Sequence, residues 1–266
     1  MPDIYAHSGD AYMRVDDEAT WAGARDAAAA EIISTTAVKY NSSIRVSSNI
    51  GGTQYDCYRY FAAFDTSGIT VKPESATLKL YGFTYTDAQI IVIKVNSGAI
   101  GGSSTDYVAT DFSQTSSTSY SLEVTSWADE AYNEITLNDT ALTDMASLSE
   151  FKIAVIDHDY DFNNQAPPNG LTRRTGLYHV DEAGTSKDPL ISYVAGSASG
   201  LTYSQSEATD LVGDDYTINN FKSGSLSNQY ERNPEQVPFS LGIRGPRHLR
   251  GRTTSYSVTL GDKNKK

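Results

Sequence analysis

The sequence predicts an all-β protein: an antiparallel, jelly-roll-like β-sandwich with one short helix and an extended C-terminal arm. Three observations predict it. Thr, Ser, Tyr, Val and Ile are plentiful, with 18 tyrosines in 266 residues, and these are residues that fit a pleated surface. Turn formers recur at short intervals, which favours many short strands over long helices. Apolar residues alternate with polar ones at a period of two, most clearly in "YRYFAAFDTSGITVKPESATLKLYGF", Tyr58 to Phe83. There Tyr58, Tyr60, Ala62 and Phe64 share one parity, and after a Ser-Gly and Pro connection Ala76, Leu78 and Leu80 share another, opposite Thr77, Lys79 and Tyr81. That pattern reads as a half-buried strand pair.

In chain order the expected strands are Ile44 to Ser48, Tyr58 to Phe64, Ala76 to Phe83, Ile90 to Val95, Tyr120 to Val124, Phe151 to Ile156, Gly176 to His179 and Leu190 to Val194. Eight strands at such spacing suit a sandwich or jelly roll. The helix is expected in "NDTALTDMASLSE", where Asn138 or Asp139 can cap and Leu142, Met145 and Leu148 recur at helical spacing. "RDAAAAEII", Arg25 to Ile33, offers a further helical turn or an Ala-rich loop. From Tyr193 on, "YVAGSASGLTYSQSEATD" loses apolar periodicity and turns Ser-, Gly- and Thr-rich, placing a boundary between a 1–195 domain and a 196–266 extension. In the extension Tyr203, Leu211, Tyr216, Ile218, Phe221 and Phe239 are too scattered for a core of their own. Tyr216 to Phe221 and Thr253 to Leu260 can each add a strand to something else.

Composition narrows the function. Cys57 is the one cysteine, so no intrachain disulfide forms, and no CxxC or Cys-His zinc spacing occurs. The N-terminal residues lack a basic start followed by an apolar run, and no stretch of eighteen apolar residues exists, which predicts a soluble chain that enters no membrane. The net charge of −12 argues against general nucleic-acid binding, because most of the surface would repel phosphate. That charge is unevenly spread: residues 1–195 hold 26 acidic and 12 basic side chains (−14), residues 196–266 hold 7 and 9 (+2).

"RYFAAFDTSGITVKPESATLKLYGF" resembles the signature of the DNRLRE-type, carbohydrate-binding-module-like β-sandwich, a strand ending in Phe-Asp, a short loop, then Ala-Thr-Leu-x-Leu-Tyr. "YNEITLND", "FKIAVIDHDYD" and "TGLYHVDEAGTSKDPLISYV" are similar to the later pieces of that family in order and spacing, so the resemblance covers about residues 26–195. It implies a scaffold for attachment or sugar contact and no reaction. Domains like this are found in bacterial surface proteins and in tailed-phage structural proteins. Met1 leading straight into the domain fits the phage setting better, a virion protein made in the host cytoplasm.

Four groups of residues carry candidate chemistry. In "DHDYDFN", Asp157, Asp159, Asp161 and Asn163 alternate, so an extended or looped backbone would let hard oxygen ligands converge on one Ca²⁺. The other reading is a solvated acidic loop, since Phe162 and Pro168 stand where an EF-hand needs Gly and Glu. His158 reads as a loop residue. No GxSxG occurs and Cys57 has no assigned His partner, and Glu123, Glu134 and Asp129 read as solvated rather than as a glycosidase pair; the expectation is a non-enzyme that requires no cofactor. Tyr85, Trp21 and Tyr107, with Tyr58, Tyr81 and Trp127, offer rings for stacking on a sugar or, alternatively, for packing in the sheets, the latter favoured for Trp127.

The fourth group is "RGPRHLRGRTTSY", with Arg244, Arg247, Arg250 and Arg252. Residues 236–266 carry seven basic side chains and one acidic (+6). Guanidinium groups on so irregular a segment can pair bidentately with carboxylates or phosphates, and three readings compete: an anchor on an acidic protein surface first, a solvated tail second and a nucleic-acid contact third. With Tyr216, Phe221 and Phe239 they define a partner-binding arm. The leading expectation is therefore a non-enzymatic virion structural protein of a tailed phage, a capsid decoration, head fibre or tail accessory, anchored by its arm to other virion proteins or copies of itself. A carbohydrate-binding module for host-glycan attachment is the alternative, and a polysaccharide-degrading enzyme a remote one.

Overall fold

The computed structural model describes residues 2–86, 89–96 and 107–197, which belong to a compact unit spanning Met1–Ala198. Apart from Gly196 and Ser197 the expected arm, with Tyr216, Phe221, Phe239, Arg244, Arg247, Arg250 and Arg252, lies outside the described residues.

The strands are β1 (Asp3–Tyr5), β2 (Ala11–Glu18), β3 (Ile32–Ser34), β4 (Lys39–Ser48), β5 (Tyr55–Asp65), β6 (Ser75–Thr86), β7 (Ile90–Val95), β8 (Thr115–Ser119), β9 (Tyr132–Thr136), β10 (Glu150–Asp157), β11 (Thr172–Tyr178) and β12 (Leu190–Val194), with helices α1 (Trp21–Arg25) and α2 (Asp139–Ser147). Their ladders are antiparallel. The hydrogen-bonded order is β1-β12-β6-β11-β4-β5-β10-β7-β8, with β2 on β5, β3 outside β2, and β9 on β6. The fold is all-β and antiparallel, as the composition predicts.

Strand β5 is the centre. Its even residues Tyr60, Ala62 and Phe64 enter one buried cluster with Leu78, Leu80, Ile153 and Val155. Its odd residues Cys57, Phe61 and Ala63 enter a second with Met13, Val15, Ile93 and Ile156. Both faces are covered, so β5 is fully rather than half buried, and it reads as a near-continuous apolar run for that reason. Fully burying each such side chain contributes about 1.5–3 kcal/mol relative to exposure.

The expected pairing of Tyr58–Phe64 with Ala76–Phe83 does not form. Both segments are strands, but the edges of β5 are taken by β2 on one side and by β4 and then β10 on the other. Strand β6 instead pairs with β12, β9 and β11, and meets β5 through side chains of the first cluster. The connection between them is therefore a crossing between ladders and not a hairpin.

Two other segments depart from expectation. Pairing beside β7 begins earlier than predicted, in β8, and the stretch Tyr120–Val124 leaves the ladder: the Ser121 hydroxyl replaces a backbone acceptor for Val92 N–H at 3.1 Å, Leu122 is exposed, and Val124 returns as an isolated bridge to Ile90. The helical turn near Arg25 lies upstream of the Ala run, capped by Thr20 Oγ1 accepting from Gly23 N–H. Helix α2 forms where its spacing predicts, with Asn138 accepting from Ala141 N–H at 3.1 Å and Ala141, Leu142 and Met145 buried; Leu148 ends it as the cap. Among the described residues no helix is long and apolar enough to cross a membrane.

Candidate functional site

Strand β10 delivers the "DHDYDFN" motif to the edge of the second cluster, because its alternate residues Ala154 and Ile156 are anchored there. Asp157 then caps a single π-helical turn, His158–Phe162, accepting from Tyr160 N–H at 2.8 Å. Asn163 N–H donates to the His158 carbonyl and Gln165 N–H to that of Tyr160, each five residues back. The four oxygen ligands expected on one cation do not converge: Asp161 turns inward to Arg59 on β5, whereas Asp157 and Asp159 face Arg173 on β11. Asn163 is exposed, whereas Asp161 is 1% exposed.

Asp161 is the hub. Arg59 Nε and Nη2 both donate to its carboxylate at 2.7 Å, a bidentate fork. Arg59 Nη1 donates to the Phe112 carbonyl at 2.7 Å and, more weakly, to Thr115 Oγ1 at 3.4 Å. Arg59 Nη2 also donates to the Arg25 carbonyl at 2.8 Å, and its guanidinium lies 4.2 Å from the Phe112 ring centroid. All five N–H bonds of this buried guanidinium thus meet oxygen, the condition under which a buried ion pair offsets its desolvation. Arg25 Nε donates to the Asp161 carbonyl at 2.6 Å, and the Cys57 thiol lies 3.5 Å from the carboxylate. Burial works against the Arg59 charge, yet Asp161 beside it holds the guanidinium above its ordinary pKa. Burial, reinforced by the Asp161 charge, pushes the Cys57 thiol well up and keeps it protonated.

Arg173 on β11 serves the other two carboxylates. Its Nη1 donates to Asp159 at 2.9 Å and lies 3.6 Å from Asp157. The hydrogen bond from Arg173 lowers the Asp159 pKa. Asp157 is pushed up to about 6, because burial outweighs the Tyr160 N–H and Arg173. The acidic motif is therefore neutralised by three arginines of the same chain, where the sequence left a Ca²⁺ site or a solvated loop. His158 is half-buried within the turn rather than in a loop, and its Nδ1 lies 3.1 Å from Asp159 and 3.5 Å from Glu123. Among the described residues Glu123, His158 and Asp159 bring their ligand atoms within 4.8 Å of one another, although Arg173 already occupies Asp159. The sequence offered no signal for this grouping, since Glu123 arrives from a different loop.

Beside the Arg59–Asp161 pair lies a recess of about 100 Å³ lined by Arg25, Thr115, Ser116, Ser117, Asp161 and Phe162, small beside the roughly 300 Å³ at which ligand pockets begin.

The rings proposed for sugar stacking are mostly spent inside. Trp21 and Tyr107 are packed in the second cluster, Tyr107 with its ring centroid 5.6 Å from that of Phe61, so neither presents a face to solvent. Trp127 belongs to the first cluster, as favoured, and Tyr58 is buried. Tyr85 contributes backbone to β6 opposite Thr175; its side chain lies outside the described residues. Tyr81, Phe83 and Tyr132 are half-buried. Tyr81 packs edge-on against Tyr132 at 5.2 Å and against Tyr178 at 5.3 Å, while Lys187 lies over Tyr178 and Lys39 over Phe83. Of the dispersed carboxylates, Glu134 pairs with Lys79 at 2.9 Å.

No family model matches the chain, and no curated protein matches it.

Proposed function

We propose that the chain is a non-enzymatic structural protein of a tailed-phage particle, an acidic β-platform held to other virion proteins or to copies of itself by its C-terminal segment. The observation that carries this reading is the charge division, −14 over residues 1–195 against +6 over residues 236–266. A basic segment without enough apolar residues for its own core gains order by pairing arginines and burying Tyr216, Phe221 and Phe239 on a partner, and the acidic domain of a neighbour supplies such a surface. The β-domain supports the reading in a second way: Arg59 and Arg173 hold carboxylates of its sharpest motif and Arg25 holds the Asp161 carbonyl, which lashes the turn to β5, β11 and α1 and stiffens a platform. The test is a chain ending at Val194. Particles assembled with it should lack the protein; incorporation at the full-length level removes the anchor from the account.

A second reading, a carbohydrate-binding module, is favoured by the half-buried Tyr81, Phe83 and Tyr132 on the β6–β9 face. Glycan-array binding by the 1–194 chain that is lost on Tyr81→Ala and Tyr132→Ala would support it.

A further inference from the structure

A second polar network lies in the core, apart from the Asp157 turn. His179, just after β11, is fully buried, as is Ser43 on β4; Asp10 in the β1–β2 connection is 1% exposed, and Asp188, two residues before β12, 5%. Ser43 Oγ is 3.1 Å from His179 Nε2 and donates to the Tyr40 carbonyl at 3.0 Å. The other ring nitrogen, His179 Nδ1, is buried without a hydrogen-bond partner and faces Asp10 Oδ2 from 3.4 Å. Asp188 Oδ1 is likewise buried without a partner. Two lone-pair-bearing atoms thus end in the same acidic corner unsatisfied, which is costly for buried polar groups.

The carboxylates of this corner are not answered from within the chain. Among the described residues no lysine or arginine stands at ion-pair distance from Asp10, Asp181 or Asp188, and Lys187, the neighbour of Asp188, pairs with Glu130 at 3.9 Å instead. Burial, then Asp10, Glu182 and Asp181, pushes the Asp188 carboxyl up to about 6, and burial followed by Asp10 raises that of Asp181. Like charge is gathered here in a dry place. The Asp157 turn is the reverse case, because Arg59 and Arg173 answer its carboxylates.

We propose that Asp10, His179 and Asp188 bind one Zn²⁺ ion that ties the β1–β2 connection to the β11–β12 connection, with Asp181 and Glu182 adding negative charge around it. A cation accepts a lone pair from Nδ1 and from each carboxylate, so it relieves the unpartnered atoms and the repulsion together. The outer contacts are those of metal ligands: with the ring proton on Nε2, His179 donates to Ser43 while its Nδ1 lone pair faces inward, and Asp10 accepts the Tyr60 hydroxyl at 2.7 Å and faces Val180 N–H from 3.4 Å. The 3.4 Å from Nδ1 to Oδ2 is the edge of a tetrahedral shell with bonds of about 2.1 Å. Asp10 and His179 stand ready, and the Asp188 side chain closes on them as the ion enters, with water completing the shell. An imidazole nitrogen beside carboxylates favours zinc over calcium or magnesium, which take oxygen. The ion joins segments 178 positions apart, a staple that a chain with one cysteine cannot make by disulfide, and it is independent of what the chain attaches to.

The experiment is Zn²⁺ titration of the chelator-stripped full chain, read by calorimetry, melting temperature and amide exchange. One Zn²⁺ per chain, a raised melting temperature and slower exchange at Val180 are expected, and Ca²⁺ at the same concentration should produce none of them. Asp188→Asn and His179→Gln should lose the bound equivalent, Ser43→Ala should weaken it by about 10–100-fold through the outer contact, and Glu123→Gln should leave it intact. The Val180 reading is made on the wild type and therefore holds where a variant fails to fold. Absence of stoichiometric zinc, zinc binding that leaves Val180 exchange unchanged, a preference for Ca²⁺, or binding that survives Asp188→Asn overturns the proposal, as does binding lost in Glu123→Gln, which would move the ion to the turn after β10.

Discussion

Replacing Arg59 with Met tests whether the Asp161 hub holds the turn. Arg59 is 3% exposed and Asp161 1%, and the pair is joined by two hydrogen bonds of 2.7 Å. Met preserves much of the stem volume but leaves Asp161 with Arg25 Nε at 3.6 Å as its remaining guanidinium contact, and leaves the Phe112 and Arg25 carbonyls without Arg59. Removing one member of such a pair costs about 3–5 kcal/mol, because the abandoned charge stays buried. In a domain of this size each kcal/mol moves the melting temperature by about 2–4 °C, so a fall of roughly 10 °C is expected. Thermal and urea unfolding of the wild type, Arg59→Met, Asp161→Asn and the double variant would be compared. The double variant should be less damaged than the sum of the singles, since it removes both charges together. An Arg59→Met protein within about 1 kcal/mol of wild type would refute the claim that this pair lashes the turn to β5.

Other expectations follow from single residues. Asp157 has a folded pKa of about 6, against about 3.9 unfolded, so the folded form binds the proton more tightly. Its stabilising contribution is present below the unfolded value and lost as pH rises through about 6, on the order of 3 kcal/mol. Urea unfolding curves of Asp157→Asn and wild type should therefore coincide near pH 4 and diverge toward pH 7, with the variant the more stable; parallel curves would contradict this. Gly82→Ala should lower stability measurably, because an added Cβ would stand 2.0 Å from the Ala128 carbonyl and 2.8 Å from Trp127 Nε1; an unchanged urea midpoint would show that the 127–131 segment does not press on β6. Ca²⁺ titration should leave the melting temperature unchanged, since Arg25, Arg59 and Arg173 already serve the aspartates. A rise abolished by Glu123→Gln would instead place an ion between Glu123, His158 and Asp159.

The strands that alternate or run apolar, β5, β6, β7, β10 and β12, were legible because a period of two is written locally. Strand β2 carries the same signal in Ala11, Met13 and Val15, which alternate with less buried residues, although it is not among the strands expected from the sequence. The turn after β10 was legible as acidic but not as helical, and the Ser43–His179–Asp10 network was not legible at all.

Sequence alone determined the all-β class, the site of helix α2, the lone cysteine and the opposed charges of the two ends, since each follows from composition or from neighbours a few residues apart. Tertiary structure alone decided that β5 and β6 share a core without sharing hydrogen bonds. It also gave Asp161 to Arg59, 102 positions away, and set Ser43 against His179, 136 positions away. Such partners are chosen by which strands lie side by side, and strand adjacency is fixed by long-range burial that no local pattern records.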